Sequence, residues 1–203
     1  MPLAYRLTLL ETAGRVALDR DFRPDPLIAQ DETLEKSDYA GAYAAHKYEK
    51  GHLAPLAAFK GTPYAYEVNY LSNIAPQTKA LNGGPWKNLE AAVRKLVHEY
   101  REVWVMCGPL YDVAAPDLPN SDETHKVACA FWKVIIVKPK SGPRKVAAFI
   151  MGQDIASTAK YADSLETIQE IQDRSGLTLF PSLPAPFLTV EDVMWVATWD
   201  DLD

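Results

Sequence analysis

Residues 85–100 constrain the fold most. Leu89, Val93, Leu96 and Val97 recur at spacings of three and four, which lines one face of an α-helix with apolar side chains. Pro85 suits the first turn, where its missing N–H is no loss. A helix is therefore predicted over Pro85–Tyr100, starting near Leu81 to Pro85, with Asn82 in its first turn or at its cap. Such a stripe must pack against another layer, and the residues that follow supply one. Glu102–Met106, stopped by Gly108-Pro109, reads as a buried strand. Ala128–Lys138 and Lys145–Met151 read as two more, joined as a hairpin across Ser141-Gly142-Pro143. A helix laid on several strands is an α+β arrangement. With 203 residues, no repeat and no linker, a single domain over 1–203 is expected.

The rest of the chain reads less sharply. Tyr5–Leu10 is a predicted strand, with Val16-Ala17-Leu18 as its hairpin partner. Arg20 to Pro26 is irregular, because Pro24 and Pro26 restrict the residues before them. A short helix is expected around Tyr39–Ala45, capped by Ser37 or Asp38, and a strand over Tyr64–Leu71. Ser164–Arg174 reads as a second helix, ended by Gly176. A Pro-rich loop over 180–188 leads to a short helix, Thr189–Val196, capped by Thr189 with Asp192 at the capping-box spacing.

Charge and cysteine content narrow the function. A net charge of −6 argues against a protein that coats nucleic acid by bulk charge, though not against an enzyme with a local basic cleft. Cys107 and Cys129 are too few for a disulfide framework. Each lies in an apolar run and reads as a small buried thiol; a bridge requires that their strands be neighbours. No apolar run is long enough to span a bilayer, so no membrane partner is expected. The first residues have no apolar stretch of the secretory kind. The chain is thus either cytoplasmic as written or a mature form whose leader was removed.

The chemistry concentrates between Tyr48 and Glu90. A neutral imidazole at His52 is suited to take a proton from water near pH 7, and Gly51 before it allows a tight backbone path. A hydrogen-bonded structural histidine is the competing reading. Asn82 could give an amide oxygen to a hard divalent cation, which prefers oxygen ligands and keeps most of its waters; by itself, an Asn before Gly83-Gly84-Pro85 is equally a turn or cap residue. Glu90 and Arg94 form an i,i+4 pair, which on a surface helix is worth only a few tenths of a kcal/mol. Asn69 and Asn73 flank a strand end, where Asn is common.

In combination and order these residues resemble a family. Glu49-Lys50-Gly51-His52, then Asn69-Tyr70-Leu71-Ser72-Asn73-Ile74-Ala75-Pro76-Gln77, then Leu81-Asn82-Gly83-Gly84-Pro85-Trp86-Lys87-Asn88-Leu89-Glu90 are similar to the motifs of the DNA/RNA non-specific endonucleases, the ββα-metal (His-Me finger) nucleases. Cys107–Tyr111 and Phe131–Ile135 extend the similarity, which covers roughly residues 14–178. The resemblance implies a central, mostly antiparallel sheet flanked by helices. It implies a Mg²⁺-dependent enzyme (Mn²⁺ substituting) that hydrolyses phosphodiester bonds in DNA and RNA with little sequence preference. His52 falls on the general base and Asn82 on the direct protein ligand of the metal. Glu90 falls on the acid that orients a metal-bound water, and Asn73 and Asn69 on asparagines lining the site. Arg94 and Lys50 fall on phosphate-contacting positions. Arg20 matches the arginine that stabilises the charged phosphorane, with Arg15 and Arg23 as rivals. A secreted or periplasmic location and a homodimer are further implications; an inhibitor or immunity partner is conceivable but has no support in the sequence.

Two positions depart from the pattern, which usually has Asp and Arg where this chain has Glu49 and Lys50. Glu moves a carboxylate by one methylene, and Lys loses the planar fork suited to phosphate. These changes and the acidic net charge motivate one rival, a catalytically impaired nucleic-acid-binding module on the same scaffold; a second sets the resemblance aside and reads an α+β domain whose His and Asn are only structural.

Overall fold

The structure, a computed structural model, describes residues 2–14, 20–122, 125–182 and 193–201. In chain order the elements that matter are β1 (Leu3–Thr8), α1 (Leu9–Thr12), α2 (Ala42–His46), β2 (Tyr48–His52), β3 (Ile74–Thr78), α3 (Lys79–Gly83), α4 (Pro85–Tyr100), β4 (Glu102–Leu110), β5 (Ala130–Val137), β6 (Lys145–Gly152), β7 (Leu165–Glu166), α5 (Ile168–Ser175) and α6 (Val193–Ala197). The α+β expectation holds: five strands form an antiparallel sheet in the order β1-β4-β5-β6-β7, and β2 and β3 form a separate two-stranded ribbon.

The helix over Pro85–Tyr100 forms as predicted. Its stripe (Trp86, Leu89, Val93, Leu96, Val97) is buried against Val103, Val105 and Cys107 of β4, Phe131, Ile135 and Val137 of β5, and Phe149 and Met151 of β6. Strand residues of the opposite parity, including Trp132, Val134 and Ala148, face the other way and pack on Ile168 and Ile171 of α5. The period of two along each strand thus puts one core on each side of the sheet. Trp195 and Trp199 close the far end, where the Trp195 indole donates to the Tyr100 hydroxyl at 3.2 Å.

Several expectations are corrected. Tyr64–Leu71 is not a strand; Ala65–Asn69 and Leu71–Asn73 are single 3₁₀ turns. Local bonds satisfy their N–H groups (Glu67 to Tyr64, Tyr70 to Glu67, Asn73 to Tyr70), so β propensity finds no ladder to join. Gly108-Pro109 does not stop β4, which runs on to Leu110. β1 begins at Leu3 opposite Cys107, so Pro109 lies beyond the β1 ladder, where its lack of an N–H is tolerated. Asn82 belongs to the separate helix α3 and not to α4, because Gly84 bends the chain between them. A Cβ at Gly84 would lie 2.6 Å from the Ser157 backbone oxygen, an approach only glycine permits. The short helix near Tyr39 runs over Ala42–His46, after Gly41 in the left-handed region rather than a Ser37 or Asp38 cap. α5 starts at Ile168 under a Thr167 cap, while Leu165–Glu166 joins the sheet edge; Gly176 ends the helix with φ +69° as expected. Strand β1 ends at Thr8, whose side chain caps α1. Val16-Ala17-Leu18, Arg15, Thr189 and Asp192 lie outside the described residues. Both cysteines are free: Cys107 pairs across the sheet with Lys133, away from Cys129.

Candidate active site

The ribbon β2–β3 packs with α3 and the start of α4 as a ββα unit at one end of the molecule. Tyr48–His52 and Ile74–Thr78 pair in antiparallel register, with Gly51 opposite Ala75 and His52 opposite Ile74. Neither strand is visible as a β pattern in the sequence, since one is mostly polar and the other contains Pro76. Polar bonds hold the unit to the sheet. Gln153, just after β6, accepts from the Thr78 N–H at 2.8 Å and donates to the carbonyls of Pro76 (2.8 Å) and Ala128 (3.0 Å); its own carbonyl accepts from the Thr78 hydroxyl at 2.6 Å. The close approach at Gly51 has a different reason from a tight turn. A Cβ there would lie 2.2 Å from the Gln77 side chain, which fills the space above it.

His52 is at the end of β2. Its Nε2 is 2.9 Å from Oδ1 of Asn69, itself only 1% exposed. Its carbonyl accepts from the Trp86 indole N–H at 3.1 Å. Burial, and secondarily the nearby Arg20 guanidinium, hold the imidazole below its ordinary pKa, opposed by the bond to Asn69. The ring is therefore neutral near pH 7, as a proton acceptor must be. Asn73 is fully engaged with backbone: its amide donates to the carbonyls of Ala54 (2.9 Å) and Val68 (2.8 Å), and its oxygen accepts from the Ala54 N–H (2.9 Å). It shapes the loop after His52 from behind.

Asn82 donates its amide N–H to the Glu49 carboxylate at 2.9 Å. That bond fixes which way the amide points and leaves its oxygen as the group available to a cation, which fits a hard metal. Glu49 thus reaches Asn82 despite its extra methylene. Glu90, one helix further on, sits in a densely packed setting. Burial pushes its carboxyl up to about 7, opposed by Lys133, Arg94 and the nearby Trp86 indole. Arg94 is not a solvated surface partner: its Nη1 donates to the Glu90 carbonyl at 3.1 Å. Lys50 lies 4.5 Å from the Tyr39 ring centroid and 5.9 Å from that of Phe22; burial, then Lys36, lower its pKa. Phe22 also stacks near His52, at 5.5 Å between ring centres. Of the upstream arginines, Arg20 is exposed and close enough to act on His52, whereas Arg23 is paired with Asp21 at 3.3 Å.

The structure thus joins His52 to Asn69 and, through its carbonyl, to Trp86 at the start of α4, and joins Asn82 to Glu49; Glu90 and Arg94 follow further along α4, and Asn73 braces the backbone at Ala54 and Val68. Sequence reasoning missed Trp86, Gln153 and Lys133. A charged residue inside the apolar run Phe131–Val137 is the one signal that pointed to Lys133. A separate carboxylate group, Glu35, Asp38 and Asp122, has oxygens within 4.8 Å of one another, but Asp38 is bound to the Glu35 N–H and Asp122 is exposed.

Residues 5–185 match the family described as DNA/RNA non-specific endonuclease. The chain belongs to that family. A nuclease of Serratia marcescens is 37% identical over 184 residues, which span 90% of this chain and 68% of that protein. The mitochondrial nuclease EXOG of Xenopus laevis is 31% identical over 80% of this chain and 48% of its own length. Human mitochondrial endonuclease G is 29% identical over 81% of this chain and 58% of its own length. Against the mitochondrial relatives the chain therefore spans about half their length. A chain in a crystal structure of the EndoG/EndoGI complex superposes with a TM-score of 0.78 at 25% identity, covering 92% of this chain and 80% of that one. The fold is the ββα-metal nuclease fold, and the ribbon with α3 and α4 is the unit that names it.

Proposed function

We propose that residues 1–203 act as one nuclease domain that hydrolyses phosphodiester bonds in DNA and RNA without sequence preference, using Mg²⁺ or Mn²⁺ held by Asn82. The observation that carries this reading is the pairing of a neutral, buried-side His52 with an Asn82 whose amide is oriented by Glu49. His52 takes the proton from the attacking water, with Asn69 setting the plane of its ring. Arg20, exposed beside His52, offsets charge on the phosphorus oxygens. Asn82 would hold the cation through its amide oxygen, with Glu90 as the acidic group that would orient water around it. When bound, the cation would polarise the phosphate and help the leaving oxygen. Lys50 and Arg94 contact backbone phosphates. Contacts of this type carry no base information.

Plasmid nicking tests the reading. Supercoiled plasmid is expected to be cut in Mg²⁺ or Mn²⁺ and spared in EDTA, and His52→Ala and Asn82→Ala to be nearly inert. Cutting by His52→Ala at the wild-type rate would refute it; salt-dependent DNA binding without cutting would instead favour the impaired binding module. Among the described residues no helix is long and apolar enough to cross a membrane. Light scattering decides whether the protein is the homodimer that its resemblance implies. Fractionation of the native cells tests the secreted or periplasmic location, which the mitochondrial relatives make a real question. The EndoG relative is known in complex with EndoGI, so a protein inhibitor is a partner to seek by the same nicking assay.

A further inference from the structure

A pair of lysines at the open end of the ribbon takes no part in the scheme above. Lys47 precedes β2 and Lys79 begins α3, so the two flank the last ladder pair, Tyr48 opposite Thr78. The Lys79 N–H donates to the Lys47 carbonyl at 2.8 Å, which ties the two backbones together. Their side chains converge on one ring. The Lys47 Nζ stands 5.1 Å and the Lys79 Nζ 5.7 Å from the centre of the Tyr43 ring, and the Lys79 Nζ donates to the Tyr43 hydroxyl at 3.4 Å. All three residues are exposed, Tyr43 by 46%.

Two features set this cluster apart from ordinary surface lysines. Among the described residues neither lysine has a carboxylate within ion-pair distance, although the chain carries a net charge of −6. Two like charges held on one ring repel each other, and an exposed ring attracts each of them only weakly. An anion between them would remove the repulsion. The second feature is backbone strain. Lys47 caps α2 with φ +59°, the left-handed conformation that glycine or asparagine adopts more easily at a helix end. A residue kept there against its preference points to a side chain in use. The Tyr43 hydroxyl accepts from Lys79 and keeps its own hydrogen for a further acceptor.

We propose that Lys47, Lys79 and Tyr43 form a phosphate-binding subsite that grips the nucleic-acid strand away from the phosphate being cleaved. The proposal rests on the nuclease reading for its substrate. Lys79 lies three residues before Asn82 on α3, so the two are neighbours on the helix surface and the patch adjoins the metal side of the site. Lys47 lies five residues before His52, about 17 Å at the rise of an extended strand. That separation directs the lysines to a phosphate further along the strand than the one His52 serves. A grip on phosphate adds affinity without reading bases.

The first test is fluorescence anisotropy of a labelled thymidine oligonucleotide of about twelve residues, in EDTA over a salt series. The double variant Lys47→Gln, Lys79→Gln is expected to bind roughly tenfold more weakly at low salt, with the slope of log affinity against log salt reduced by about 0.7, the share of one single-strand phosphate. Unchanged affinity and slope overturn the proposal, and so does a wild type that does not bind the strand. Lys47→Gly relaxes the left-handed backbone, so it is expected to raise the thermal midpoint while weakening binding. A lysine with only a structural role would not separate the two, and this variant decides if the double variant does not fold. The second test is kinetic. In Mg²⁺ the double variant is expected to cut the oligonucleotide with a KM roughly tenfold higher and kcat little changed, and to hydrolyse bis-nitrophenyl phosphate, too short to reach the patch, at the wild-type rate. An equal loss on both substrates overturns the proposal. If wild type cuts neither substrate, the nuclease reading falls, while the anisotropy series still reports on the grip.

Discussion

The ββα unit and the five-stranded sheet are built by different means. The sheet holds its place by apolar burial on both faces, with Phe131, Ile135, Phe149 and the α4 stripe on one side and Trp132, Val134 and α5 on the other. The ββα unit adds side-chain-to-backbone hydrogen bonds, from Asn73, Trp86 and Gln153, to the burial of Tyr48, Ile74 and Leu81. Burial is non-directional and tolerates small shifts, whereas hydrogen bonds fix geometry. The proposed chemistry lies in the second region, and α4 serves both: its apolar face is core, and Glu90 and Arg94 are proposed site residues.

This contrast predicts separable effects. The largest is on rate: His52→Ala should lower plasmid nicking by about 10²- to 10⁴-fold while the thermal midpoint hardly moves. A large drop in midpoint would break the comparison. In the sheet, Phe149→Ala should cost about 3–5 kcal/mol in denaturant unfolding, with the remaining folded protein cutting at the normal rate. Asn73→Ala lies between, since it orphans three backbone groups near His52; a loss of about 1–3 kcal/mol should accompany a loss of rate, and calorimetry with nicking reads both.

The pH dependences have opposite signs. Glu90 is raised from 4.5 to about 7, so its contribution to stability is fully present below pH 4.5 and is lost as pH rises through 7. In metal-free protein Glu90→Gln should therefore raise the thermal midpoint at pH 8 and not at pH 4. His52 is lowered from 6.5, so its contribution is present above pH 6.5 and is lost as pH falls below it; the acid limb of activity, read from a rate profile in Mg²⁺, should lie below 6.5. The smallest effect is Lys50→Arg, which restores a planar fork and should speed nicking less than tenfold.

The sheet core was legible because its signals are periodic. The α4 stripe and the β5–β6 hairpin need only local patterns, and both appear nearly as expected. The ribbon was not legible, because Tyr48–His52 and Ile74–Thr78 have no apolar alternation and are strands only through each other. Tyr64–Leu71 differs for the converse reason: aromatic content suggests a strand, but among the described residues it finds a single bridge, Tyr70 to Arg23, and not a ladder. His52 and Asn82 stood out through motif order. Trp86 and Lys133 did not, because their part depends on a cross-layer contact between α4 and β5 that no single stretch of sequence contains.

The Gln153 contacts bear on how the motif could be reused. One amide side chain engages the backbone at Pro76, Thr78 and Ala128, joining the ribbon to the end of the sheet. A graft of residues 48–90 into another scaffold would carry every proposed metal and base residue and still lack the group that docks the ribbon. Transplanting the activity would therefore require the acceptor protein to present an amide at the corresponding place, making the latch, rather than the ligands, the design problem.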